Sequence, residues 1–129
     1  MQTEKRAFDL EERLIDFSVM ILKVAEELPN NYAGKHLASQ LTRSGTAPAL
    51  NYGEAQGAES RNDFVHKMKI CLKELRETQI CLKIIQRKPM VEPKEVDNIL
   101  QECNQLVAIF TSSVKKATTQ TAKPQDREM

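Results

Sequence analysis

The sequence predicts an all-α protein, an antiparallel up-down-up-down four-helix bundle with a kinked second helix. Three observations carry this. Apolar residues recur at alternating steps of three and four in four separate stretches. Glycines and prolines are few, four and five, and every proline but Pro48 falls outside those stretches or at an edge of one, where helices are punctuated. No run alternates apolar and polar residues with the two-residue period of a half-buried strand.

The first helix is expected over residues 8–28. Asp9 and Glu12 have the spacing of a capping box, and Glu11 and Glu12 suit the positive end of a helix dipole. Leu10, Leu14, Phe17, Ile21, Val24 and Leu28 form its seam, and Ile15, Val19 and Leu22 a second apolar row beside it. Pro29 and the Asn30-Asn31 pair end it. The second helix is expected over residues 33–57, with Leu37, Leu41, Ser44, Pro48, Asn51, Ala55 and Ala58 on the seam. Most of these are small or polar, which predicts close packing at the centre of the bundle. Pro48 removes one backbone hydrogen bond and clashes with the preceding turn, so a kink or a short break is expected near Ser44-Gly45.

Ser60 and Asp63 form a start signal for the third helix, Arg61 to about Arg87. Its seam, Phe64, Met68, Cys71, Leu75, Thr78, Leu82 and Ile85, is the most regular in the chain. Pro93, well placed at a first helical position, opens the fourth helix, which runs to about Ala117. Val96, Leu100, Cys103, Val107, Phe110, Val114 and Ala117 form its seam. Residues 118–129 are polar and aperiodic and read as a disordered tail, so the bundle domain is residues 1–117. Second apolar rows, Ile15/Val19/Leu22, Val65/Leu72 and Ile99/Leu106/Ile109, favour a homo-oligomer.

Composition narrows the function classes. With 19 basic and 18 acidic residues the net charge is +1, a poor match for a purely electrostatic nucleic-acid binder. The sum hides segregation: residues 60–89 carry eight bases and three acids, residues 1–28 four bases and seven acids. Cys71, Cys81 and Cys103 each lie in an apolar helical stretch without a C-x-x-C pair, as buried thiols in a reducing compartment do. The N-terminus has acids where a signal peptide needs an apolar run, and the most apolar run, residues 17–22, is far shorter than the roughly 18 residues of a membrane span. These features predict a cytoplasmic protein without a membrane partner.

No catalytic site, metal site or cofactor is expected. His36 and His66 stand alone, and no phosphate loop, H-E-x-x-H or nucleophile elbow occurs. Glu74 and Glu77, one turn apart, are explained by helix surface charge as well as by acid/base chemistry. Arg43 and Glu54 point nearly the same way from the second helix but stand about 16 Å apart along it, so each needs a partner on another helix or subunit. Asn51 on the seam is expected to set register. Lys69, Lys73, Arg76, Lys83 and Arg87 recur on the outward face of the third helix. They read either as a solvated face with ion pairs to an acidic neighbour or as a stripe for a polyanion. Such a stripe would contact RNA through phosphates, because it has no interleaved aromatics for base stacking.

The stretch from Gln40 to Thr78 resembles the bacterial four-helix bundle family encoded in intervening sequences of 23S ribosomal RNA genes, also called S23 ribosomal protein. Gln40, Leu41, Arg43 and Ser44 match its Q-L-x-R-S pattern, and Asn51, Glu54 and Ala55 its N-x-x-E-A. Ser60, Asp63 and Phe64 match its S-x-x-D-F, and Lys67, Ile70, Leu72, Lys73, Glu74 and Glu77 its K-x-x-I-A-L-K-E-x-x-E. The chain departs from the family at Ala47-Pro48, at Tyr52 and at Ile80-Cys81. The resemblance implies an antiparallel bundle that assembles as a homo-pentamer and has no enzymatic activity. Related bundles serve retroelement reverse transcriptases as basic accessory pentamers. The function expected is a non-enzymatic scaffold or RNA-associated accessory protein; a protein–protein module without nucleic acid, or a reverse-transcriptase accessory factor, are the alternatives.

Overall fold

In the computed structural model, residues 9–128 are described, with side chains described as far as Thr119. Among the described residues four helices occur in order: α1 (Leu10–Glu27), α2 (Tyr32–Gln56), α3 (Arg61–Arg87) and α4 (Pro93–Glu128). Each packs against two others: α1 on α2 and α4, α3 on α2 and α4. Contacts pair Glu54 with Lys67, Pro48 with Cys71 and Ser44 with Thr78. Numbers fall on α2 as they rise on α3, so these helices run in opposite directions. Leu75 with Cys103 and Gln86 with Asp97 give the same relation for α3 and α4.

Local signals place the helix starts. Asp9 caps α1 by accepting from the Glu12 amide, and Ser60 caps α3 by accepting from the Asp63 amide at 3.0 Å. The start of α1 expected at residue 8 falls outside the described residues. Asn31, read in the sequence only as part of a terminator, is the N-cap of α2 and accepts from the Gly34 amide at 2.8 Å. Gly34 is required there, because a Cβ would overlap the Pro29 carbonyl oxygen. The link from α1 to α2 is therefore a tight turn stitched by one asparagine.

The seams form the core. Leu14, Phe17, Ile21, Val24, Leu41, Leu75, Leu82, Leu106 and Phe110 are fully buried. At about 25 cal/mol per Å² of apolar surface this aliphatic interior is the dominant stabilising contribution. α2 does pack closely: a Cβ on Gly45 would lie 2.6 Å from Ile21 Cγ2. Tyr52 meets Phe110 edge to face, with ring centroids 5.9 Å apart.

Three expectations are corrected. The short break admitted near Ser44-Gly45 does not form, and α2 is continuous with Pro48 inside it. Pro48 is buried and its carbonyl accepts from Cys71 Sγ, so packing holds a turn that has lost one hydrogen bond. The fourth helix does not stop at about Ala117 but continues to Glu128. No glycine or proline stands between Ala117 and Lys123 to end it, and Thr119 Oγ1 donates back to the Lys115 carbonyl. Most of the expected tail lies outside the residues whose side chains are described. Finally, only one of the three second apolar rows is spare. Ile15, Val19 and Leu22 are exposed, but Val65, Ile99 and Leu106 are buried. The core stripes of α3 and α4 are therefore wider than one seam.

Candidate functional site

The outward row of α3 is where the sequence placed it. Lys69, Lys73, Arg76 and Arg87 are exposed and Lys83 is half-buried. Among the described residues, Lys69, Lys73, Arg76, Lys83 and Arg87 form no ion pair; the bridges present join Arg13 to Glu102, Arg43 to Glu74 and Glu77, and Lys67 to Glu54. The row is thus a solvated face without salt bridges among the described residues. Lys73 is close enough to Glu77 to help hold that carboxyl in its ionised form.

Arg43 and Glu54 each find a partner across the α2–α3 interface. Lys67 Nζ lies 2.7 Å from Glu54 Oε1. Arg43 forks, with Nη1 3.1 Å from Glu74 Oε1 and Nη2 3.2 Å from Glu77 Oε1. Glu77 is on the surface, as its spacing suggested. Glu74 is not: it is 8% exposed. Burial first, and then a hydrogen bond to Glu77, raise the Glu74 carboxyl above its ordinary range, against the pull of Arg43. Glu77 is lowered, chiefly by the hydrogen bond from Glu74 and then by Arg43. The two carboxyls lie below a single guanidinium and titrate as a pair, Glu74 keeping its proton to higher pH than Glu77. Deeper in the same interface, the Thr78 hydroxyl lies 2.9 Å from Ser44 Oγ and also bonds the Glu74 carbonyl at 2.8 Å. The heptad spacing put both hydroxyls on seams but could not pair them.

Asn51 is half-buried, and its amide donates to the Ala47 carbonyl at 3.0 Å, within its own helix. The bond it makes is local and does not reach across the seam. Ser60 and Asp63 do what their spacing predicted and start α3.

Beside the basic row lies a groove of about 890 Å³ between α2 and α3. Leu37, Ile80 and Ile84 line it, with Lys69, Lys73 and Arg76 also in its wall. Ile80 and Ile84 are 55% and 48% exposed. In the sequence Ile80 only interrupted the basic row; its position off the seam was the available signal that α3 carries apolar surface outside the core. His36 and Cys81 also line the groove, but the Cys81 thiol hydrogen-bonds the Leu37 carbonyl and not His36. Burial pushes that thiol up to about 11, which suppresses the reactive thiolate. No group of His, Cys, Asp and Glu among the described residues is arranged to hold a metal ion. No helix among them is long and apolar enough to cross a membrane.

Comparison with known proteins agrees with this arrangement. No curated protein matches the chain. A crystal structure of a protein of unknown function from the S23 ribosomal protein family of Bacteroides thetaiotaomicron VPI-5482 superposes with a TM-score of 0.75 at 28% identity. The match covers 81% of this chain and 97% of that one. Residues 6–112 match the family described as 23S rRNA-intervening sequence protein. The chain therefore belongs to the 23S rRNA-intervening sequence protein family.

Proposed function

We propose that the protein is a non-enzymatic, self-associating cytoplasmic scaffold that binds structured RNA along the outward face of α3. The observation that carries this reading is the row Lys69, Lys73, Arg76, Lys83 and Arg87, which forms no ion pair among the described residues. A row of cations, four of them exposed and none in a salt bridge among the described residues, is free to displace counterions from a phosphate backbone. The exposed α1 row Ile15/Val19/Leu22 supports self-association, and five is the copy number that the family resemblance implies.

The test is binding of a structured RNA hairpin, by fluorescence anisotropy, at two salt concentrations. Each phosphate contact adds about −0.9 to the slope of log K against log salt, so contacts at Lys83 and Arg87 alone give roughly 12-fold between 50 and 200 mM salt. Changing Lys83→Glu and Arg87→Glu together should flatten that slope and weaken binding. Absence of binding at the lower salt eliminates the RNA reading. A protein–protein module would then remain, and the exposed apolar row on α1 is the observation that favours it.

A further inference from the structure

The exposed large hydrophobic side chains among the described residues are not scattered. Ile15, Val19 and Leu22, at 42%, 48% and 41% exposure, form one row on α1. Ile80 and Ile84, with half-buried Leu37, line the α2–α3 groove. Only Tyr32 and Leu50 lie outside these two patches. The two patches are chemically opposite at their edges. Glu11 stands one turn before Ile15 and Glu26 one turn after Leu22, both exposed, so acids close the α1 row at each end. The groove wall carries Lys69, Lys73 and Arg76 against one acid, Glu77, which is paired with Arg43. Lengths also agree. Lys73 to Ile84 is eleven residues, about 16 Å of helix, and so are Glu11 to Leu22 and Glu26 to Ile15. Either direction of docking puts an acid opposite Lys73 and an apolar side chain opposite Ile84.

We infer that the α1 row of one copy seats in the α2–α3 groove of the next. This rests on the proposal that the chain self-associates, and it names the two faces that do so. Because the faces differ, each copy offers one and accepts one, so the contact is head-to-tail and either closes into a ring or runs on. Seating covers Lys69, Lys73 and Arg76 in the interface and leaves Lys83 and Arg87 outside it. The basic row then has two jobs: its first half joins copies and its second half faces the polyanion.

The experiment uses two variants of the full chain, Val19→Glu/Leu22→Glu and Ile80→Glu/Ile84→Glu. All four positions are exposed and glutamate is a good helix former, so the far-ultraviolet spectrum should stay that of the parent. Size-exclusion chromatography with light scattering reads the mass of each variant alone and of their equimolar mixture. Each alone should be a monomer. The mixture should give a one-to-one heterodimer, because each variant still carries the face that the other lacks. Either variant alone keeping the parent's mass overturns the inference. A mixture that stays monomeric also overturns it, since only two different faces complement in this way. Loss of RNA binding by the groove variant with its assembly intact overturns it too, by giving the groove to RNA. A monomeric parent protein is a different failure: it removes self-association itself.

Discussion

The hydroxyl pair at the α2–α3 interface gives a prediction that can be worked from the structure. Thr78 is fully buried and Ser44 is 2% exposed, with their oxygens 2.9 Å apart. Thr78→Val keeps the shape of the side chain and removes its hydroxyl. Ser44 then loses a partner in an apolar setting, at a cost of about 1–2 kcal/mol, between the net value of one hydrogen bond and the penalty of a stranded hydroxyl. Ser44→Ala strands Thr78 less, because Thr78 still bonds the Glu74 carbonyl. Alanine is also the better helix former by a few tenths of a kcal/mol, so about 0.5–1 kcal/mol is expected. The double variant has no stranded group and should lie within about 1 kcal/mol of the parent, well under the sum of the singles. Urea unfolding monitored by circular dichroism at fixed protein concentration completes the cycle. A coupling energy of about 1 kcal/mol is the expected result. If the single effects simply add, the two hydroxyls do not depend on each other and the reasoning fails.

Three further outcomes rest on named contacts. Gly45→Ala should lower the melting temperature, because overpacking against Ile21 costs about 1–3 kcal/mol and exceeds the roughly 1 kcal/mol that alanine gains as a helix former. Ile21→Val in the same chain should recover part of the loss, and an unchanged melting temperature for Gly45→Ala would show that the close approach is absent. For Glu74, a folded pKa above the ordinary 4.5 means that its stabilising contribution is complete below that value and is lost as pH rises through the folded value. Glu77, lowered, contributes above 4.5 and loses its contribution as pH falls. Glu74→Gln should therefore improve relative to the parent in urea midpoints as pH rises above 4.5, and parallel pH profiles would refute the assignment. Burial pushes Cys71 and Cys103 up to about 12 and Cys81 up to about 11, so none of the three should react with a thiol reagent in the folded protein and all should react in urea. Rapid labelling of native Cys103 would contradict its burial.

The parts of the molecule legible in the sequence are those set by spacing along one helix. Leu14, Phe17, Ile21 and Val24 went to the core because steps of three and four return to one face. Ser60 and Asp63 started α3 because an N-cap is a local event. What spacing could not supply was the pairing between helices. Arg43 needed a partner off its own helix, but nothing in one helix tells which carboxylate on another is rotated toward it. Glu74 and Glu77 looked alike at one turn's separation, yet a rotation of about 60° about the helix axis buries the first and leaves the second in water. The groove was missed for the same reason, since it is made by Leu37 on one helix and Ile80 and Ile84 on another.

One contact between the chain's first and last helices has a bearing on how the protein is made. Arg13 on α1 holds Glu102 on α4 through two bonds, Nε at 2.7 Å and Nη2 at 2.9 Å, and holds Gln105 through a third at 2.7 Å. Arg13 and Glu102 are 89 residues apart in sequence. At a synthesis rate of about 5–20 residues per second, α1 spends roughly 4–18 seconds on the ribosome before its clasp partner exists. During that interval α1 lacks the α4 surface it packs against, and the acidic first helix and the basic third helix are available to other chains. Translation order thus makes the last helix the step that commits the chain to its own core rather than to a neighbour's.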